Sequence, residues 1–358
     1  MSTAFHPLKI VAVDRETDHA IALTLEPPTD WAAQFAFSPG QHLTFRADIG
    51  GEDVRRNYSI CAAPAEQLLK VAIKQVEGGV FSNWALEALR PGASIEAMPP
   101  HGHFTWRFEA GAKRHYVAFA AGSGITPVLS LLKAGLAAEP LSRFTLLYGN
   151  RSSSSIMFLE ELGALKNRYL DRLEIYHFLT AELDEVELFN GRLDAARIAE
   201  VLSSLVDRAS IDVAFICGPG PMMDAAEAAM REAGLAPEQI LLERFGLDPA
   251  ASADTSANRE AREKAQGLML EVRMDGRRRR IAFDAEKGSI LESARGAGLP
   301  APYACKAGVC ATCRAKLVEG QVQMDKTYGL SSEEVAQGYI LTCQAVPVGD
   351  DVVIDYDA

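Results

Sequence analysis

The chain has 358 residues, 48% of them hydrophobic and 23% charged, with 36 Lys and Arg against 48 Asp and Glu for a formal net charge of −12. A scale of about 100–200 residues per domain predicts two or three domains, and the acidic balance excludes a nucleic-acid binder, because phosphate neutralisation needs a basic face and the only basic run, Arg277–Arg280, is short. No stretch of about 20 apolar residues is available to span a membrane, and MSTAFHPLKIVAVDRE lacks the basic-then-apolar pattern of a secretory signal, so a cytoplasmic protein is expected.

Along residues 1–109, KIVAVDRET, AIALTLEPP, HLTFRADIG, RNYSICAAP and LLKVAIKQV alternate apolar and polar residues over strand-like lengths. Pro39-Gly40, Gly50-Gly51, Gly78-Gly79 and Pro91-Gly92 punctuate them, and only Ser82–Leu89 reads as a helix. Many short strands with regular turns predict an antiparallel barrel or sandwich. Residues 110–248 change rhythm. Apolar strands (HYVAFAA, FTLLYG, LEIYHFL, DVAFICG, QILLERF) alternate with helical stretches such as PVLSLLKAGLAA and PMMDAAEAAMREAG, which predicts a parallel sheet covered by helices on both faces. Residues 249–266, PAASADTSANREAREKAQ, are small, polar and charged and read as a linker. Residues 267–358 return to short strands with one helix, SILESARGAG.

Three groups of residues carry chemistry. In Arg56-Asn57-Tyr58-Ser59, a strand places Arg56 and Tyr58 on one face. Arg56 suits a diphosphate, Tyr58 offers a ring to stack on an isoalloxazine, and Ser59 can donate near the flavin N5. Gly78-Gly79-Val80-Phe81-Ser82 then turns into the helix, with Ser82 as its cap, and such a terminus attracts phosphate. Taken singly, these are also a surface charge, a strand aromatic and a hairpin turn. Phe37-Ser38-Pro39-Gly40-Gln41 reads as a turn before a strand, and His101 and His103 in PPHGHF lack a third ligand for a metal.

In the second region, Gly122-Ser123-Gly124-Ile125-Thr126-Pro127 lies between a strand and a helix, where glycines let a diphosphate approach the helix terminus and Pro fits the first turn. Cys217-Gly218-Pro219 ends another strand. Cys217 is either close to a reactive nicotinamide or a small buried thiol. After FTLLY comes Gly149-Asn150-Arg151-Ser152-Ser153-Ser154-Ser155, with one Arg, four serines and no acid, which favours a ribose 2′-phosphate and hence NADPH over NADH.

The six cysteines are unevenly placed. Cys61 and Cys217 stand alone, whereas Cys305, Cys310, Cys313 and Cys343 form C-x4-C-x2-C-x29-C. That spacing is the plant-type [2Fe–2S] pattern, and the small residues Ala304, Ala307, Gly308, Ala311 and Thr312 let amides approach the sulfurs. A four-cysteine zinc site is the alternative, although zinc ribbons carry two C-x2-C pairs and only Cys310–Cys313 is one here.

R-x-Y-S, G-G-x-x-S, G-S-G-I-T-P, C-G-P and C-x4-C-x2-C…C in this order resemble the ferredoxin–NADP reductase-like family with a carboxy-terminal plant-type ferredoxin domain. The resemblance implies a multidomain chain: an antiparallel β-barrel for FAD over 1–109, an α/β parallel-sheet NAD(P)-binding domain over 110–248, a linker over 249–266, and a β-grasp [2Fe–2S] domain over 267–358. It implies flavin roles for Arg56, Tyr58, Ser59, Gly79, Val80 and Ser82. It implies nicotinamide-cofactor roles for Gly124, Thr126, Pro127, Arg151, Cys217, Gly218 and Pro219, and cluster ligation by Cys305, Cys310, Cys313 and Cys343. Glu243-Arg244-Phe245 matches more loosely where family members close the flavin site. FHPLKIVAV, LVEGQVQMD…LSSEEVAQGYILTCQ and VVIDYD resemble one oxygenase-reductase member in particular.

The implied activity is electron transfer from NADPH through FAD and the cluster to the oxygenase component of a multicomponent system. Tyr58, Ser59 and Cys217 flank the reacting atoms. The same motifs would serve another oxygenase, a hydroxylase or a desaturase. A redox-sensing module without turnover is the non-enzymatic alternative.

Overall fold

A computed structural model of the chain describes residues 4–245 and 256–358. The chain forms two compact units, Ser2–Arg244 and Phe245–Ala358.

The first unit opens with β1 (His6–Thr17), β2 (Ala20–Glu26), β3 (His42–Ile49), β4 (Glu52–Ser59), β5 (Leu69–Lys74) and β6 (Ser94–Ala97), in the antiparallel order β4-β3-β6-β1-β2-β5. The two ends of that sheet meet where Ile60 bridges Val71 and Cys61 N donates to Lys70 O at 2.8 Å, so the sheet closes into the predicted barrel. Alternating positions turn Leu8, Ile10, Leu23, Leu43, Phe45 and Ile73 inward, and α1 (Val80–Ala88) adds Phe81 and Ala85 to the same core.

The parallel sheet follows: β7 (His115–Ala121), β8 (Arg143–Asn150), β9 (Leu173–Leu179), β10 (Val213–Cys217) and β11 (Ile240–Glu243), in the order β11-β10-β7-β8-β9. The order reverses beside β7, the switch point at which such sheets bind ligands. One face packs on α2 (Ile125–Ala138) and α3 (Leu159–Arg168), and the other on α4 (Ala195–Ser204) and α5 (Gly220–Glu232). Both faces are covered, so β10 is buried along its whole length, as its apolar run predicts.

Barrel and sheet share a core. Ala20, Ala22, Cys61 and Ala72 pack with α2, Ser130 Oγ donates to Ala62 O at 2.6 Å, and buried Lys133 bonds Cys61 O and Glu66 and pairs with Glu161.

The second unit begins, among its described residues, with α6 (Ser256–Ala265). This corrects the linker reading of 249–266. Arg259, Glu260, Ala261, Glu263, Lys264 and Ala265 are strong helix formers, Glu260 and Lys264 are spaced as an i,i+4 pair, and Ala265 is buried in this unit's core. Residues 249–255 lie outside the described residues. The sheet then comprises β12 (Met269–Met274), β13 (Arg277–Ala282), β14 (Arg314–Glu319), β16 (Tyr339–Leu341) and β18 (Val352–Asp355), in the order β13-β12-β18-β14-β16. A separate pair joins β15 (Val322–Met324) to β17 (Ala345–Pro347). Parallel β12–β18 pairing among antiparallel neighbours, with α7 (Ile290–Gly296) laid on the sheet, is the predicted β-grasp. Ser289 caps α7, and Ser331 and Glu334 form a capping box on the short α8 (Ser332–Ala336).

At the amino-terminal edge of the parallel sheet, buried His115 lies 2.9 Å from both Ser210 Oγ and Thr145 Oγ1. Burial, and then the neighbouring Arg143, lower its pKa to about 4. The neutral ring therefore stabilises the fold above pH about 6.5, and that contribution is lost as pH falls from 6.5 towards 4. Urea unfolding of wild type should lose about 2 kcal/mol more than His115→Asn between pH 7.5 and 4.5. Equal losses would contradict this assignment.

Candidate functional site

On β4 the expected alternation is present. Arg56, Tyr58 and Ser59 lie opposite Phe45, Leu43 and His42 of β3. Arg56 is exposed, with Nη1 donating to Arg55 O at 2.7 Å. Tyr58 is half-buried, its ring 5.6 Å from Phe81 and 5.7 Å from Phe45, and burial raises its phenol pKa. Ser59 Oγ is buried with no hydrogen-bond partner among the described residues. An orphaned buried hydroxyl costs about 1–3 kcal/mol, and a ring acceptor laid on Tyr58 would satisfy it. These two side chains fit a flavin ring there.

The helix after Gly78-Gly79 starts earlier than predicted, at Val80, and Gly79 occupies the cap position. Ser82 is therefore not the cap. It lies one turn in, and its Oγ accepts from Val76 N at 3.0 Å, which fixes the preceding turn. Gly79 is half-buried and Val80 is exposed, so amides at this terminus face outward.

The pyridine-nucleotide residues meet at the carboxyl edge of the parallel sheet. Ala120 of β7 lies opposite Cys217 of β10. A Cβ on Gly124 would sit 2.1 Å from Cys217 O, so only glycine permits this approach. Thr126 Oγ1 donates to Ser123 O at 3.0 Å, and Pro127 is buried in the first turn of α2. Gly218 packs against Ala121, and Pro219 caps α5. Cys217 is fully buried, and burial followed by Glu243 raises its thiol pKa well above the usual range, so the thiol stays protonated.

Spacing does not reveal two neighbours of Cys217. Glu243 lies opposite it on β11, and Glu243 Oε1 is 3.8 Å from His42 Nδ1. His42 is buried, its ring 4.3 Å from that of His101, and its Nε2 is 3.3 Å from Asn57 Nδ2. Burial, then His101 and His103, hold His42 neutral. His101 Nδ1 also lies 3.1 Å from Pro99 O.

Beside these turns is a slot of about 360 Å³, lined by Asn150, Thr180, Arg192, Asp194, Pro219 and Met222 among others. Arg151 is exposed at the start of the serine loop and does not line the slot. Ser153 donates both its N–H and its Oγ to Glu182, at 3.0 and 3.1 Å. An acid therefore faces the serines in space, although none is near them in sequence.

The four clustered cysteines converge in the second unit. Lys306, Gly308 and Ala311 adopt positive φ, so the loop winds its amides inward. Ala307 N donates to Cys305 Sγ at 3.3 Å and Cys305 N to Cys310 Sγ at 3.5 Å. The Cys305 thiol lies beside Cys310, and the Cys313 thiol beside Cys343. These contacts, with burial, raise the proton affinity of Cys305 and of Cys313. Among the described residues no three His, Cys, Asp or Glu gather as they would around one ion. Gly329 closes the loop from above, its N–H donating to Gly308 O at 2.8 Å.

Residues 11–106 match the oxidoreductase FAD-binding domain family, residues 119–228 the oxidoreductase NAD-binding domain family, and residues 272–348 the 2Fe-2S iron-sulfur cluster binding domain family. With these domains in this order, the chain belongs to the ferredoxin–NADP reductase-like flavoproteins with a carboxy-terminal plant-type ferredoxin domain, and it is a flavin and iron–sulfur electron-transfer oxidoreductase. It is 42% identical to one of the subunits of 1,2-phenylacetyl-CoA epoxidase from Escherichia coli over 99% of both chains. It is 33% identical to the ferredoxin reductase component of 3-ketosteroid-9-alpha-monooxygenase from Rhodococcus rhodochrous, over 98% of this chain and 96% of the other. Its fold is similar to that of phthalate dioxygenase reductase, with a TM-score of 0.59, 24% identity and 98% coverage of both chains. Among the described residues no helix is long and apolar enough to cross a membrane.

Two substitutions test the site. Ser59→Ala removes an orphaned hydroxyl, so the flavin-free protein should gain about 1 kcal/mol in urea unfolding while FAD binding weakens about tenfold. A destabilised apoprotein with unchanged FAD affinity would refute the assignment. Gly124→Ala sets a methyl against a backbone carbonyl and should cost about 1–3 kcal/mol. In a coenzyme titration it should also weaken NADPH binding, and wild-type stability and affinity would contradict the close approach.

Proposed function

We propose that the protein carries electrons from NADPH through FAD and a [2Fe–2S] cluster to the oxygenase component of a multicomponent system, phenylacetyl-CoA epoxidase of phenylacetate catabolism being the foremost candidate, in the cytoplasm. The observation that carries the reading is the orphaned Ser59 hydroxyl on the same compact unit as the Gly124–Cys217 contact, on a chain that also holds the two thiol pairs. The choice of acceptor rests on the 42% identity to the epoxidase protein along the whole chain.

NADPH gives two electrons as a hydride, FAD accepts two and releases them singly, and a [2Fe–2S] cluster takes one at a time. The chain's own residues bind and orient. Tyr58 would offer its ring face to the flavin, Ser59 would donate a hydrogen bond to it, and Arg56 with the amides of Gly79 and Val80 would hold its diphosphate. Ser82 holds the turn that presents those amides. Gly124, Thr126 and Pro127 form the terminus that receives the coenzyme diphosphate. Gly218 and Pro219 would let the chain approach the nicotinamide closely, with Cys217 beside it as a neutral thiol. Arg151, with no acid at the end of β8, supports NADPH over NADH. Cys305 with Cys310, and Cys313 with Cys343, hold the cluster. No general base is required, which suits a site whose His42 is neutral and whose Cys217 keeps its proton.

The same chemistry serving another oxygenase is the second reading, favoured by the 33% identity to the ketosteroid monooxygenase reductase. Cys310→Ser should abolish electron delivery to a one-electron acceptor protein while NADPH oxidation by ferricyanide continues. Equal loss of both would refute the order flavin before cluster. Steady-state kinetics should give the higher kcat/KM with NADPH, and a higher value with NADH would overturn the coenzyme choice.

A further inference from the structure

Reduction adds one negative charge to a cluster whose ligand sulfurs are already negative. An N–H aimed at one of those sulfurs stabilises the reduced state more than the oxidised one, and so raises the potential. In the cluster loop two such donors are backbone groups, Ala307 N at 3.3 Å from Cys305 Sγ and Cys305 N at 3.5 Å from Cys310 Sγ. Cys343 is met differently. The Gly308 amide faces it, and so does a side chain, that of Gln344, whose Nε2 lies 3.6 Å from Cys343 Sγ.

The direction of that side-chain amide is set by its other contacts. Nε2 donates to Lys306 O at 3.2 Å and to Cys343 O at 3.1 Å. Turning the amide over would set its oxygen against both carbonyl oxygens, so it is the nitrogen that faces Cys343. Its two N–H groups are shared among two carbonyls and a sulfur, and a thiolate is the charged acceptor among the three. The backbone of Gln344 is anchored as well. Its N–H donates to Leu341 O at 2.8 Å, and its carbonyl accepts from Asp325 N at 3.1 Å. The cluster loop leaves room for the side chain: a Cβ on Gly308 would lie 2.9 Å from Gln344 Cγ, and Gly308 turns at φ +76°.

We propose that Gln344 is a positioning residue for electron transfer: its side-chain N–H donates to the Cys343 sulfur and raises the potential of the cluster, which favours the passage of electrons out of the flavin. The assignment rests on ligation of the [2Fe–2S] cluster by Cys343, as proposed above.

A redox titration of the FAD- and cluster-loaded protein tests it without turnover, with low-temperature paramagnetic resonance following the cluster and absorbance following the flavin. Gln344→Leu keeps most of the bulk and removes the donor. It should shift the cluster's one-electron equilibrium about tenfold towards the oxidised form, a fall of about 59 mV, while the flavin potential stays at its wild-type value. Gln344→Glu keeps the shape more closely and replaces the N–H with a carboxylate oxygen, so it should lower the cluster potential at least as far. A cluster potential that is unmoved or raised in either variant overturns the assignment, as does an equal fall in the flavin potential. Variants that lose iron while their remaining cluster titrates at the wild-type potential would show a purely structural role and overturn it too. A wild type that gives no [2Fe–2S] signal on reduction overturns the proposed ligation and the assignment together.

Discussion

The parallel pairing of β7 with β10 is the constraint on which the site depends. It sets Ala120 beside Cys217, so the turn that leaves β7 runs directly over the Cys217 carbonyl, and Gly124 is the residue that leaves room for it. Two loops nearly 100 residues apart in sequence thereby become one surface. The next pairing outward, β10 with β11, carries Glu243 to Cys217, and the barrel presents His42 to Glu243. The buried Lys133 network and the Ser130–Ala62 bond then hold the strand bearing Tyr58 and Ser59 in the same compact unit. A hydride donor and its acceptor must meet within van der Waals distance. Here backbone register and shared packing bring the two loops together, with few charged groups where they meet.

The second unit solves a different problem with the same economy. Four thiolates around two irons carry net negative charge. The loop offsets it with backbone N–H groups turned inward by positive φ at Lys306, Gly308 and Ala311. Small residues between the cysteines are what such winding needs. Gly329, where a Cβ would lie 2.8 Å from Ala311 N, packs a second segment onto the loop.

Much of this is legible in the sequence, because the relevant features are local. Alternation in RNYS, glycines bracketing GSGITP, apolar runs at strand length and the C-x4-C-x2-C spacing each reflect geometry within a few residues. What spacing cannot show depends on distant partners. Glu182 faces Ser153 across 29 positions, which changes the meaning of a serine loop that looks free of acids. Glu243 and His42 meet only because the barrel and the sheet share a core. The sequence suggests Ser82 as a cap, yet the helix starts at Val80, because Gly79 rather than a side chain ends the turn. Composition alone makes 249–266 a linker, whereas the pattern of Arg, Glu, Ala and Lys within it is already that of α6.

The central claim is that electrons reach a binuclear cluster by way of the flavin. Mixing the purified, oxygen-free protein with NADPH and recording its flavin absorbance together with its low-temperature paramagnetic resonance tests this most directly. The expected result is loss of the oxidised-flavin band together with the signal of a reduced [2Fe–2S] cluster in the wild type. Bleached flavin with no cluster signal, in protein whose cysteines hold zinc, would contradict it.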